Sequence, residues 1–413
     1  MRPFYYLLCL FLPLVSPAQS DPGALHFDAD RLARVDSFLQ DLVDRGIVPN
    51  AQAYVAHRGE VVLRSTIGLA DLDTRRPARP DDIYRIASQT KALVTVGLMK
   101  LYERGKFLLE DPIARYIPAF ADVRVIDGRD SATGEWRTVP AERPITIRHL
   151  LTHTSGLGYE LPGDLDQHYP VPLFASLEEE TTEEVVDRIA RRPLLAQPGT
   201  EFVYGLSTDV IGRLVEILSG QALDDYMQQE VFGPLGMQDS YFYLPQAKAD
   251  RLVSLYSKPE GAGALEPHAN DTFRLFPVAG AQTYFSAGAG SVGTIDDYAR
   301  FCQMLLNGGQ LHGVRILSPT TVAFMTRNHI GDLEVWDRRD KFGLGFMIIT
   351  DQSHYGDLAS PGAYKWGGMY CSEYTIDPAR DLIMLVYFNV HPIPQYAEVL
   401  RKFRILVYQA MVD

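Results

Sequence analysis

Ala51-Gln52-Ala53-Tyr54-Val55-Ala56-His57-Arg58-Gly59-Glu60-Val61-Val62-Leu63-Arg64-Ser65-Thr66 reads as a β-hairpin. Two β-rich runs, 51–57 and 61–66, flank Arg58-Gly59-Glu60, which supplies hairpin turn chemistry. Upstream, the apolar spacing predicts an amphipathic helix from about Arg31 to Arg45, ended by Gly46. Downstream, helical patterns dominate from about Ser88 to Met237, broken by Pro- and Gly-rich loops such as 159–172. β-rich sequence returns at Leu344–Thr350, Cys371–Ile376 and Leu382–Phe388, and a last helix is predicted from about Gln395 to Met411. The simplest architecture joins both ends of the chain in one central antiparallel sheet flanked by helices, with an inserted all-helical subdomain: an α/β (α+β) fold. The expected boundaries are 19–85 and 285–413 for the sheet domain and 86–284 for the helical insert.

The 413 residues are 46% hydrophobic and 22% charged, a globular balance that excludes a disordered chain. The formal net charge of -13 repels polyanions, which argues against nucleic acid as a partner. Met1 and Arg2, the apolar run Phe4–Val15 and Ser16-Pro17-Ala18 resemble a secretory signal peptide over residues 1–18, implying a periplasmic or extracellular location. That run is too short for a helix to span a bilayer, so no stable membrane anchor is expected. Cleavage would leave Cys302 and Cys371, too few for a metal cluster or a disulfide framework, and two free thiols are expected.

Chemistry begins at Ile86-Ala87-Ser88-Gln89-Thr90-Lys91, a Ser-x-x-Lys motif leading into an apolar helix that Gly105 stops. Three residues apart on a helix, Ser88 and Lys91 share a face, and the first turn carries the positive end of the macrodipole. Ala92, Leu93, Val94, Val96, Leu98 and Met99 make the helix apolar nearly all round, so it should be buried. Desolvation lowers the pKa of a fully buried lysine by up to about 3 to 5 units, enough to create a base near neutrality. The plainer reading is an N-capping serine followed by a lysine that reaches solvent.

Two further stretches carry candidate site residues. Gln197-Pro198-Gly199-Thr200-Glu201-Phe202-Val203-Tyr204-Gly205-Leu206-Ser207 is a turn that delivers Tyr204 just before a helix, where it could shuttle a proton beside Lys91 or serve as a core aromatic. Ala363-Tyr364-Lys365-Trp366-Gly367-Gly368-Met369-Tyr370 places paired glycines beside a strand, as a backbone oxyanion donor or a β-bulge would require.

In this order the three elements resemble the serine β-lactamase-related hydrolases: class C β-lactamases, D,D-peptidases and family VIII carboxylesterases. Residues 145–157, Pro234-Leu235-Gly236-Met237 and Ser286-Ala287-Gly288-Ala289-Gly290-Ser291 match as well, so the resemblance covers nearly the whole mature chain. It implies a β-lactamase/transpeptidase-like fold, Ser88 as acylated nucleophile, Lys91 as its proton acceptor and Tyr204 as the tyrosine that exchanges protons with nucleophile and leaving group. The backbone amides of Ser88 and Met369 would hold the oxyanion, with Trp366, Gly367 and Gly368 contacting substrate. Two departures matter. Leu206 occupies the usual asparagine position, and Trp366-Gly367-Gly368 replaces Lys-Thr-Gly. Lys365 is one residue out of register, and strand alternation turns it to the opposite face. Trp-Gly-Gly is the form of the esterase-like members.

Other patterns are weaker. His149 and His153 lie at i and i+4 but lack a metalloprotease glutamate and a third ligand, so packing and capping roles are expected, with no metal or cofactor. Residues 288–293 fit Gly-x-Gly-x-x-Gly without a βαβ context and read as a turn bordering the site. No Gly-x-Ser-x-Gly elbow occurs. The expectation is a secreted serine hydrolase that cleaves small carboxylic esters through an acyl-enzyme, or transfers the acyl group to an alcohol. The alternative is a β-lactamase or D,D-peptidase acting on peptidoglycan-like substrates. The sequence sets no oligomeric state.

Overall fold

Arg58 and Gly59 both adopt positive φ, 53° and 78°, the backbone of a primed two-residue turn whose twist matches that of the strands it joins. The computed structural model, which describes residues 22–261 and 263–412, places this turn between β1 (Asn50–His57) and β2 (Glu60–Asp71). The signal peptide expected at 1–18 lies outside the described residues. The other edge of β1 pairs with β8, Leu382–Tyr387, so strands from the two ends of the chain lie side by side. With β3 (Arg76–Pro77), β4 (Lys341–Phe342), β5 (Met347–Ile348), β6 (Tyr364–Gly368) and β7 (Ser372–Asp377), they form an eight-stranded sheet in the order β4-β5-β6-β7-β8-β1-β2-β3. Every pairing in it is antiparallel.

The strand expected over 344–350 is interrupted. A Cβ on Gly343 would lie 2.1 Å from the Met325 carbonyl oxygen, and Gly345, at φ 85°, packs against Thr95. This loop must pass so close to neighbouring backbone that pairing is left to the short strands β4 and β5.

Alternation along β1 and β8 sorts the core into two layers. Ala53, Val55, Met384 and Val386 face α1 (Ala29–Asp44) and α5 (Tyr396–Tyr408), where Val35, Leu39, Phe403 and Val407 complete one cluster. Asp28 caps α1 by accepting from the Arg31 amide at 2.9 Å. Tyr54, Ile383, Leu385 and Tyr387 face the other way, into a larger cluster shared with α2 (Thr90–Glu103), α3 (Ser207–Ser219) and α4 (Ile295–Leu306). The chain between β3 and β4 thus covers the second face, and the insert expected to be all-helical carries an antiparallel hairpin as well, Arg124–Arg129 paired with Trp136–Pro140. Helix α2 is buried from Thr90 through Met99, as its apolar sequence requires. Cys302 and Cys371 are buried free thiols. Among the described residues no helix is long and apolar enough to cross a membrane.

Leu39 has no solvent exposure and sits between α1 and the sheet. Leu39→Ala is expected to lower the unfolding free energy by about 2 to 5 kcal/mol in urea titrations.

Candidate active site

Ala87 stands at φ 45°, a left-handed conformation costly for a residue with a Cβ, and the turn it opens (Ala87–Gln89) runs directly into α2. Side chains from the sheet layer hold this turn. The Gln89 amide donates to Ser372 Oγ at 2.9 Å, while the hydroxyls of Tyr387 and Tyr298 donate to Gln89 Oε1 and its carbonyl oxygen at 3.0 and 2.9 Å. Thr90 Oγ1 donates to the Ala87 carbonyl at 2.6 Å. Ser88, 9% exposed, is thereby fixed at the mouth of α2.

Strand β6 comes against the same turn. A Cβ on Gly368 would lie 2.4 Å from the Ile86 carbonyl oxygen and 2.6 Å from Ser372 Oγ, so only glycine permits this approach. Gly367 is confined too: its Cβ would meet the Ser372 carbonyl oxygen at 2.9 Å and the Tyr396 hydroxyl at 3.1 Å. A threonine there would need the backbone to shift.

Lys91 is buried behind Ser88. Its Nζ donates to the Gly288 carbonyl at 2.6 Å and to the Tyr159 hydroxyl oxygen at 2.7 Å, and lies 3.4 Å from Ser88 Oγ. All three partners are neutral oxygens. Gly288 is itself held by Asp209, whose carboxylate accepts from the Gly288 amide at 3.1 Å and Ser286 Oγ at 2.9 Å. The glycine-rich stretch 288–293 therefore borders the site. The Tyr204 ring lies beneath Lys91 Nζ, 4.9 Å from centroid to nitrogen, and its hydroxyl accepts from Trp366 Nε1 at 3.2 Å.

Tyr159 opens the 159–172 loop and carries no motif or period of its own in the sequence. Burial first, and then the neighbouring Tyr204 and Asp209, push its hydroxyl well above the ordinary tyrosine range, with the Ser88 hydroxyl acting in the opposite sense. Tyr204, expected to share a proton with Lys91, presents its ring face to the lysine, and Tyr159 supplies the hydroxyl. The Tyr204 ring is fixed in that pose by Tyr159 edge-on at 5.4 Å, His153 at 4.8 Å and Trp366 at 5.1 Å.

Ser88, Tyr204, Trp366, Gly367, Gly368 and Met369 line one cavity of about 310 Å³, together with Trp336 and Arg338. Because β5 pairs only with Tyr364 and Lys365, the edge of β6 from Trp366 onward is open and forms part of the wall. Lys365 points toward α5, as alternation requires, and forms an ion pair with Glu373 at 2.7 Å. Burial pulls its pKa down to about 8 despite that partner. The cavity bends past the strand edge, so Lys365 forms its far wall. Leu206 is buried in the core.

The two histidines have structural partners. His149 Nδ1 accepts from the Thr146 amide at 3.2 Å in a capping box. His153 packs on Tyr204, Phe202 and Phe342. Burial first, and then the neighbouring Lys91, hold its pKa far below the usual histidine range.

The beta-lactamase family model matches residues 35–409, and the chain belongs to that family. It is similar to Esterase EstB of Burkholderia gladioli, at 33% identity over 91% of this chain and 95% of that protein. It also matches a putative D-alanyl-D-alanine carboxypeptidase of Escherichia coli K12, at 27% identity over 90% of this chain and 85% of the relative. The solved structure of EstCE1, described as a hydrolase with promiscuous acyltransferase activity, superposes with a TM-score of 0.78 at 28% identity, covering 92% of this chain and 99% of that one. The protein is a serine hydrolase of the β-lactamase fold, with esterase-like relatives.

His149 yields a pH prediction. Burial, with Arg143 and Arg148 nearby, lowers its pKa to about 4, and the capping bond needs an unprotonated Nδ1. Its contribution to stability is complete above the unfolded value near 6.5 and is lost as pH falls toward 4. In His149→Gln, the rise in unfolding free energy between pH 4 and 6.5 is expected to be shallower in denaturant titrations across that range.

Proposed function

We propose that this protein is a secreted serine esterase that cleaves small carboxylic esters through an acyl-enzyme, with acyl transfer to an alcohol as the variant second step. The observation that carries the reading is the Ser88–Lys91 pair opening onto a cavity walled by Trp366, Gly367 and Gly368, with no lysine or hydroxyl at the third motif. Export is inferred from the sequence of residues 1–18 and places the enzyme in the periplasm or outside the cell.

Two hydrogens of Lys91 are directed to Gly288 and Tyr159, so its remaining tetrahedral direction faces Ser88 Oγ. There the amine lone pair accepts the serine proton as Oγ bonds to the ester carbonyl carbon. The backbone amides of Ser88 and Met369 stabilise the oxyanion, a contribution of typically about 10² to 10³ in rate per donor. The C–O bond to the alcohol then breaks, and the proton held at Lys91 returns to the leaving oxygen through the adjoining Tyr159 and Tyr204 hydroxyls. Water or a second alcohol repeats the sequence on the acyl-enzyme and restores Ser88. An alkoxide leaves more readily than an amide nitrogen, so a site without specialised amide contacts suits esters. The Trp366 ring, fixed by its N–H bond to Tyr204, offers apolar area to an acyl or aryl group.

Purified protein assayed with p-nitrophenyl acetate and butyrate, a chromogenic cephalosporin and a D-Ala-D-Ala peptide should give its highest kcat/KM on an ester. A higher value on the lactam or peptide would move the D,D-peptidase or lactamase reading to first place. Ser88→Ala should abolish ester turnover. Lys91→Ala, Tyr159→Phe and Tyr204→Phe should each lower kcat about 10²-fold or more with little change in KM. The Lys91→Ala/Tyr159→Phe double variant should lose less than the product of its single losses. Full multiplicativity would show that the two groups act separately.

A further inference from the structure

Arg338 lines the Ser88 cavity and also a larger one, about 550 Å³, that continues from it between Trp336, Tyr355 and α5. The two share Trp336, Met347, Lys365, Glu373 and Tyr396 as walls, so they form one bent cleft. Four cations face it, and three are paired. Lys365 and Arg404 share Glu373, while Arg401 and Arg404 share Asp357 at 2.6 and 3.1 Å. Among the described residues Arg338 has no carboxylate within ion-pair distance. Its guanidinium lies over the Trp336 and Tyr355 rings, 5.0 and 5.4 Å from their centroids.

Glu373 and Asp357 are engaged by the other three cations. Asp340 is buried; desolvation raises its carboxyl pKa, and Ser353, Lys365, Arg338 and Arg404 oppose that rise. Asp337 is exposed on the rim. The loop that presents Arg338 is strained: Trp336, Asp337 and Arg339 stand at φ 49°, 57° and 59°, and none is glycine. A planar guanidinium that lies over aromatic rings and lines a cavity without a carboxylate partner is a receptor for a planar anion.

We infer that Arg338 receives a carboxylate carried by the substrate, so that preferred substrates are esters with one arm ending in a carboxylate. This deepens the esterase reading and rests on it. The arm is the acyl group, as in a half-ester of a dicarboxylic acid, or the alcohol, as in an ester of a hydroxybenzoic acid. Trp336 and Trp366, stacked at 5.4 Å, line the route from Ser88 to Arg338 and give that arm an apolar passage.

Two matched pairs test it: mono-p-nitrophenyl glutarate against its methyl ester, and 4-acetoxybenzoate against methyl 4-acetoxybenzoate. In the wild type the charged member of one pair should have kcat/KM about 10-fold or more above its neutral match, and the responding pair identifies the arm. Arg338→Gln should bring the charged-to-neutral ratio of kcat/KM close to 1, and Arg338→Lys should restore part of the preference. An unchanged charged-to-neutral ratio in Arg338→Gln for both pairs would overturn the inference. Should no ester be turned over, the esterase reading fails, and the inference is read separately from fluorophosphonate labelling at Ser88. Glutarate slowing that labelling in wild type but not in Arg338→Gln supports it, and equal rates with and without glutarate in both proteins overturn it.

Discussion

The site depends on one close approach, the backbone of β6 laid against the turn that carries Ser88. Gly368 sits where any side chain would strike the Ile86 carbonyl, and the turn accepts a left-handed Ala87 to meet it. Gln89 anchors the turn to Ser372 and Tyr387, one residue from the serine, so Ser88 is referenced to the sheet rather than to its own helix. Strain at Ala87, of order 1 kcal/mol or more, persists because these bonds over-determine the conformation. The paired glycines thus serve packing, holding β6 against the turn that carries Ser88.

Burial of α2 is the second consequence. Because this helix is enclosed on nearly every side, Lys91 has no route to solvent, and its hydrogens must be satisfied by Gly288 and Tyr159. Asp209 fixes the first of these acceptors, and the tilted ring contacts of His153, Tyr204 and Trp366 build the wall beside the second. On the far side of β6 the buried group of Lys365, Glu373, Arg404 and Asp357 joins the sheet to α5. A buried network of this kind is weak evidence for stability, and it serves here to shape the floor of the cleft.

The elements legible in the sequence are those whose signal is local. The 51–66 hairpin carries its turn in Arg58-Gly59, α1 and α5 show an apolar stripe, and the side to which Lys365 points follows from strand periodicity. The 344–350 segment misleads because its composition is β-like while Gly343 and Gly345 serve a tertiary approach to Met325 and Thr95. Tyr159 and Arg338 are illegible for a related reason. Each lies on an irregular loop with no period or motif, and long-range packing alone brings it to Ser88. The direction of the Tyr204 hydroxyl is likewise set by ring packing, which a motif match does not encode.

Covalent acylation of Ser88 by an ester is tested most directly by rapid-quench intact-mass analysis with peptide mapping. Mixed with p-nitrophenyl butyrate and quenched in acid within the first turnovers, the protein should gain one butyryl mass, mapped to the peptide containing Ser88 and absent from Ser88→Ala. Steady ester turnover with no adduct, or with the acyl group on another residue, would contradict it.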